Sequence, residues 1–305
     1  MPTPLDGVTR LPHLGVIRAQ GEEAARFLHN QLTNDFALLQ PGQARLAAYC
    51  TAKGRMLASF VGVPAGPQEI LLVTPQDVLA PTLKRLSMFV LRSKVRLSDA
   101  SAELAVHGVA GSAADAALAG PEAAWSARSQ GESHFVRLYP ADGVARALCI
   151  APAGAAGPSG AALAPELWQW GEVRSGIAWV TGPVVEAFVP QMLNYESVGG
   201  VSFKKGCYPG QEVVARSQFR GTLKRRGFLV RGESAMQPGQ EVFHESDPGQ
   251  PCGLVAQAAA SPAGGWEAIV SMQVSAAEGG RLSLGSADGA ALQLQPLPYP
   301  LLADV

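Results

Sequence analysis

The chain has 305 residues, 47% of them hydrophobic and 16% charged. An average soluble domain carries roughly 25% charge, so a disordered tail or a heavily charged scaffold is excluded. Twenty-four basic and 25 acidic residues leave a formal charge of -1, and no whole-molecule field draws the chain to nucleic acid or a membrane.

The first helical signal lies over 21–32, where Ala24, Phe27, Leu28 and Leu32 share one face and Glu22 and Glu23 occupy the first turn, favouring the positive end of the helix dipole. Short strands are expected over 44–51, 55–63 and 69–74, broken at Lys53-Gly54 and over 64–67. Thr74-Pro75-Gln76-Asp77 then reads as a helix start, with a threonine cap and proline at the first helical position; Pro81 kinks or restarts that helix. Strand-like runs follow at 94–97, 104–109, 134–138 and 145–150, around an alanine-rich helix over 112–119. The Ala, Gly, Pro and Ser run over 151–162 reads as a flexible loop. A helix over 165–175 ends at Gly176; Trp168 and Trp170 cannot share a face, so one is expected in the core and the other accessible. A short helix over 209–219 stops at Gly221. From 226 onward, strands at roughly ten- to thirteen-residue spacing with turn residues between them read as a small antiparallel barrel or sandwich. The expected fold is α+β, with a body over 1–225 and a β domain over 226–305.

Four cysteines, at 50, 149, 207 and 252, form no close pair, which argues against a disulfide framework or zinc knuckle and for reduced thiols. The opening 1–10 has no continuous apolar core, and no later stretch reaches the roughly 18 apolar residues of a membrane span. A cytoplasmic location without a membrane partner is expected.

The chemistry concentrates over 199–226. Between 204 and 226 lie seven basic residues (Lys204, Lys205, Arg216, Arg220, Lys224, Arg225 and Arg226) and one acid, Glu212. Such a stretch suits either a multi-anion ligand, for example a phosphate backbone or a glutamate tail, or a solvated face. Cys207 precedes the 209–219 helix beside Lys204 and Lys205, a setting that favours the thiolate and so nucleophilic, redox or soft-metal chemistry; the alternative is a small buried residue, which suits the other three cysteines better. No histidine (13, 29, 107, 134 or 244) carries a companion motif for a thiol hydrolase, and one cysteine leaves a tetrahedral zinc shell mostly unfilled. A second basic cluster, Lys84, Arg85, Arg92, Lys94 and Arg96, is expected to face water.

The residues Lys205-Gly206-Cys207-Tyr208-Pro209-Gly210-Gln211-Glu212 resemble the K-G-C-[FY]-x-G-Q-E signature of the YgfZ-type folate-binding proteins, relatives of the glycine-cleavage aminomethyltransferase or T-protein. The likeness extends through 188–191, 199–203 and 214–221, and more weakly through 27–35 (FLHNQLTND), 50–55 and 297–299. The resemblance implies a T-protein-like body of two intertwined α+β portions around a central channel, followed by a C-terminal antiparallel β-barrel. It implies binding of tetrahydrofolate or a one-carbon derivative, and support for the assembly or repair of iron-sulfur clusters. The partners it implies are iron-sulfur client proteins such as tRNA-modifying enzymes that thiolate tRNA. Carried over residue by residue, it makes Cys207 the reactive thiol, a possible transient cluster ligand, and assigns cofactor binding to Trp168, Lys205, Tyr208, Gln211, Glu212 and Arg216. A second family tryptophan near the N-terminus corresponds to Leu14. Where the T-protein has an acidic stretch, residues 53–59 read Lys-Gly-Arg-Met-Leu-Ala-Ser, and apolar groups such as Leu57 and Ala58 cannot exchange a proton. An accessory protein is therefore expected over a one-carbon transferase or demethylase. A direct tRNA-binding module is a third possibility.

Overall fold

Among the described residues ten strands precede residue 153, and the chain deals them into two sheets at once rather than completing one before the other. The computed structural model describes residues 5–119, 123–219 and 223–302. One five-stranded sheet runs in the order β3 (Arg45–Cys50), β4 (Met56–Gly66), β5 (Glu69–Pro75), β2 (Leu14–Gln20) and β6 (Arg96–Asp99). The other runs β1 (Gly7–Arg10), β7 (Leu104–Ala110), β10 (Arg146–Pro152), β9 (Ser133–Arg137) and β8 (Ala127–Gln130). Neighbouring strands are antiparallel throughout. Because β1 and β2 part to different sheets, as do β6 and β7, the two halves are intertwined as the family resemblance implies.

Burial explains the strand sequences. In β10, Leu148 and Ile150 enter the core between the sheets, while Ala147, Cys149 and Ala151 meet α3 (Ser112–Leu118) on the other face. A strand covered on both sides needs no polar alternation, hence the run Ala-Leu-Cys-Ile-Ala. The first sheet is covered outside by α1 (Ala24–Gln31) and α2 (Gln76–Ser87); Phe27, Leu28 and Val78 pack there with Ile17, Phe60 and Leu72. A fully buried side chain of this size contributes about 1.5–3 kcal/mol.

Residues from 225 onward close a barrel in the order β11 (Arg225–Gly232), β14 (Trp266–Gln273), β13 (Asp247–Ala260), β12 (Glu241–His244), β15 (Leu282–Leu284) and β16 (Ala290–Gln295), with β16 pairing back onto β11. Closure removes exposed sheet edges. Between barrel and sheets lies α4 (Pro165–Arg174), followed by single 3-10 turns at Gly182–Val184 and Pro190–Leu193 and by α5 (Gln211–Phe219). Among the described residues no helix is long and apolar enough to cross a membrane.

Several local expectations change under tertiary contacts. Glu22 and Glu23 precede α1 instead of filling its first turn; Glu22 pairs with Lys94, and Glu23 accepts the Lys94 backbone N–H at 2.7 Å. Thr74 does not cap α2, because the β2–β5 ladder extends through Thr74 and Pro75; the helix passes Pro81 without interruption. The 151–162 run is tied down: Val8 N donates to Ala161 O at 2.7 Å and Leu163 N to Val8 O at 2.9 Å. The Asp247-Pro248-Gly249 turn signal lies inside β13, whose pairing with β12 is irregular at Val242, Phe243 and His244. Trp168 and Trp170 are both buried, at 0% and 6% exposure, because α4 is covered on opposite sides by β7 and the barrel.

Candidate functional site

Two stretches far apart in sequence brace each other to build the Cys207 loop. Thr33 Oγ1 donates to Gly200 O at 2.7 Å and accepts from Ala48 N at 2.8 Å. Asn34 Nδ2 donates to both Leu46 O and Gly199 O at 2.7 Å. The segment after Gly200 is thereby pinned to β3, and Lys205 Nζ reaches Leu32 O at 3.0 Å. At the far end of the loop, Gly210 has φ +82, and a Cβ there would lie 2.4 Å from Thr51 O. Only glycine fits this approach and this backbone region. The 50–55 stretch and the signature stretch therefore interlock as backbone surfaces.

Cys207 is exposed, whereas Cys50, Cys149 and Cys252 are buried. Burial pushes the thiols of Cys50 and Cys149 up to about 12 and raises Cys252. Lys205 is 7% exposed, with its ammonium 4.4 Å from the Tyr208 ring centroid. Burial pushes it down to about 8, against the opposing pull of Asp35 and Cys207. At pH values below about 8 the charged amine counts against the folded state, and that cost fades as pH climbs from the folded value towards the unfolded value of about 10.4. Thermal denaturation of wild type and Lys205→Met between pH about 7.5 and about 9.5 should show the wild type gaining on the variant as pH rises. Parallel curves would contradict a depressed amine.

The other residues expected to bind cofactor surround this loop. Tyr208 is buried, Gln211 is half-buried, and Glu212 and Arg216 are exposed and paired at 3.1 Å. None of them, nor Lys205, belongs to the wall of the inner cavity between the two sheets and α4. The seven basic residues do not form one exposed strip either. Lys205 and Arg226 are buried, Arg225 Nη1 donates to Cys252 O at 2.9 Å, and Arg220 lies outside the described residues. The cluster at 84–96 is exposed as expected.

The inner cavity lies where the two sheets, α4 and the 177–195 segment converge. It offers about 30 Å³ to water-sized occupants. Trp125, Tyr139, Trp179 and Tyr195 supply aromatic wall, and Arg146 and Glu172 supply charge. Trp168, expected at a folate wall, sits behind this lining: it is fully buried, with the Arg146 guanidinium 4.5 Å from its ring centroid. Its indole N–H and that of Trp179 both donate to Glu172 Oε1, at 3.0 and 3.2 Å, while Gln257 Nε2 donates to Oε2 at 3.1 Å. Arg146 is much less satisfied. Its Nη1 makes one long hydrogen bond to Tyr139 O at 3.5 Å, and its Nε has no partner among the described residues. Burial pushes its pKa down to about 10, with Glu172 opposing. A buried cation with unmet donors points to an acceptor-bearing occupant. Tyr299, in the C-terminal stretch, packs behind the lining: its hydroxyl donates to Gly176 O at 2.7 Å and its ring meets Tyr139 edge-on at 5.7 Å.

Sequence reasoning missed Trp125, Tyr139, Arg146, Glu172 and Trp179. A signal existed for one of them, since Arg146 opens an apolar strand, and a charge in such a setting needs a buried partner. Among the described residues no three His, Cys, Asp or Glu side chains are arranged to hold a metal ion.

The profile described as the GCVT N-terminal domain matches residues 7–141. The tRNA-modifying protein YgfZ of Serratia proteamaculans is 30% identical over 240 residues, covering 73% of this chain and 70% of that protein. The protein of the same name from Shigella boydii serotype 4 is 31% identical over 235 residues, covering 72% and 69%. A crystal structure of the glycine cleavage system aminomethyltransferase T from Bartonella henselae superposes with a TM-score of 0.67 at 16% identity, covering 96% of this chain and 86% of that one, so the two share a fold. The interlocked motif stretches around Cys207 and the likeness over more than two thirds of each relative lead to one conclusion: the chain belongs to the YgfZ family.

Proposed function

We propose that the chain binds tetrahydrofolate or a one-carbon derivative in the inner cavity. On this reading it serves as an accessory factor for the assembly or repair of iron-sulfur clusters in client proteins, and thereby supports tRNA modification such as thiolation. The observation that carries the proposal is the pairing of an under-satisfied buried guanidinium, Arg146, with a buried carboxylate, Glu172, between aromatic walls. A pterin presents ring carbonyl acceptors and N–H donors on one flat edge, so the donor set fits it, although about 30 Å³ requires the aromatic lining to part first.

When bound, the folate would supply the one-carbon chemistry of its pterin. The chain's own residues bind and orient. Arg146 takes an acceptor on the heterocycle, Glu172 takes donors, and Trp125, Tyr139 and Trp179 hold the ring faces and exclude water. Trp168 stays behind them, holding Arg146 and Glu172 in place. Leu57, Ala58 and Ser59 carry no acid or base, and Ser59 Oγ already accepts from Val180 N at 2.9 Å, which favours binding over aminomethyl transfer. Cys207, the exposed thiol, would act outside the cavity on the client, which would complete the coordination of any cluster it touched.

Tetrahydrofolate at a hundredfold excess over its Kd should stabilise the protein by about 2.7 kcal/mol, seen as a rise in Tm. Cys207→Ala should lie within about 0.5 kcal/mol of wild type, as expected for an exposed position, yet fail to restore iron-sulfur enzyme activity and tRNA thiolation in a strain lacking its own family member. An unchanged Tm with tetrahydrofolate would sink the folate reading. Full restoration by Cys207→Ala would remove the thiol from it. Formation of methylene-tetrahydrofolate from an aminomethylated donor would make the protein a transferase instead.

A further inference from the structure

Trp125 is the residue shared by the linings of two spaces: the inner cavity and an open groove of about 860 Å³ on the outside. Its backbone is in the left-handed region, φ 69, which costs a non-glycine residue about 1–3 kcal/mol. Its indole N–H donates to Val198 O at 2.8 Å, and its ring lies 5.9 Å from that of Tyr139. The indole is thus a thin partition, latched by one hydrogen bond, between a cavity too small for a bicyclic heterocycle and a groove with ample room.

The groove has the chemistry of a binding surface. Arg45 and the exposed Lys204 stand in its wall. Two buried polar atoms in the same wall, Glu196 Oε2 and Ser126 Oγ, have no hydrogen-bond partner among the described residues; Glu196 is 4% exposed, and its other oxygen is held by Arg226 at 2.6 Å. The groove's remaining carboxylate, Asp35, is engaged by His29 at 3.0 Å. Glu196 Oε2 therefore awaits a donor, while Lys204 and Arg45 offer charge to an anion. A chain that alternates amide N–H groups with carboxylates meets both needs.

We infer that this groove receives the anionic glutamyl tail of a ligand whose heteroaromatic head occupies the inner cavity, and that Trp125 is the door between them. The inference rests on the folate reading above and adds the tail subsite and the route. Lys204 and Arg45 draw the tail's carboxylates, Glu196 Oε2 accepts an amide N–H, and the indole must leave its Val198 latch before the head passes inward.

The test is calorimetric titration of the full chain with tetrahydrofolate carrying one or three glutamates, under anaerobic conditions. Wild type is expected to bind the triglutamate about tenfold more tightly, the scale of one or two added charge-assisted contacts. That ratio should fall towards one in Lys204→Glu and in the Lys204→Glu/Arg45→Gln double variant. In stopped-flow fluorescence, Trp125→Ala should speed association of the monoglutamate about fivefold or more, because a gating step is removed. Equal affinities of wild type for the two forms, a ratio that survives in the double variant, or an unchanged association rate in Trp125→Ala would each overturn the inference while leaving folate binding intact. Failure of wild type to bind either form would instead overturn the folate reading and this inference with it.

Discussion

Trp168→Ala is expected to lower the unfolding free energy by about 3–5 kcal/mol. Three losses add. The indole is 0% exposed and so close to β7 that a Cβ at Gly108 would lie 2.5 Å from its ring, so truncation leaves a cavity that the sheet cannot fill. The Arg146 guanidinium, 4.5 Å from the ring centroid, loses the aromatic face that shares its burial. Glu172 Oε1 loses the donor at 3.0 Å. Trp168→Phe keeps most of the packing and should cost less than half as much. Urea denaturation followed by circular dichroism gives both values, and an alanine variant within about 1 kcal/mol of wild type would contradict this packing. Because Arg146 and Glu172 depend on that ring, Trp168→Ala should also lose the stabilisation by tetrahydrofolate, although Trp168 itself does not line the cavity.

Glu196→Gln should cost about 3 kcal/mol, the lower end for breaking a buried ion pair by removing one partner. Glu196 has 0% side-chain exposure and Arg226 7%, and their contact at 2.6 Å ties the segment before Cys207 to the first strand of the barrel. Ser197 Oγ also donates to Glu196 Oε1 at 2.8 Å, and Arg226 Nη2 donates to Leu302 O at 2.9 Å. The neutral amide leaves a buried guanidinium without its counter-charge. Replacing both, as Glu196→Leu/Arg226→Met, should recover much of the loss, since the desolvation of two charges is then no longer required. A double variant as unstable as Glu196→Gln alone would mean that the cost lies in packing and not in charge.

The apolar face Ala24, Phe27 and Leu28 is buried as its periodicity predicts, and the closely spaced strands after residue 225 close into a barrel. Both are short-range patterns, in which one face of one element declares what it will bury. Strand β2 is not legible in the sequence, because it carries Arg18 inside an otherwise apolar run; the structure satisfies that guanidinium with Glu69 and Glu103, at 2.8 and 2.7 Å. The exposed thiol and its buried lysine neighbour were legible as a motif. The cavity was not, because its charged groups come from β10 and α4 and its aromatic walls from stretches between positions 125 and 195.

Sequence alone therefore determined the order and type of most elements and the position of the Cys207 loop, since both depend on residues close in the chain. Tertiary structure decided which indoles line the inner cavity. Exposure is set by whatever packs over a side chain from elsewhere: Trp168 is covered by β7 and by Arg146, whereas Trp125, with no comparable cover, stands between the inner cavity and the outer groove.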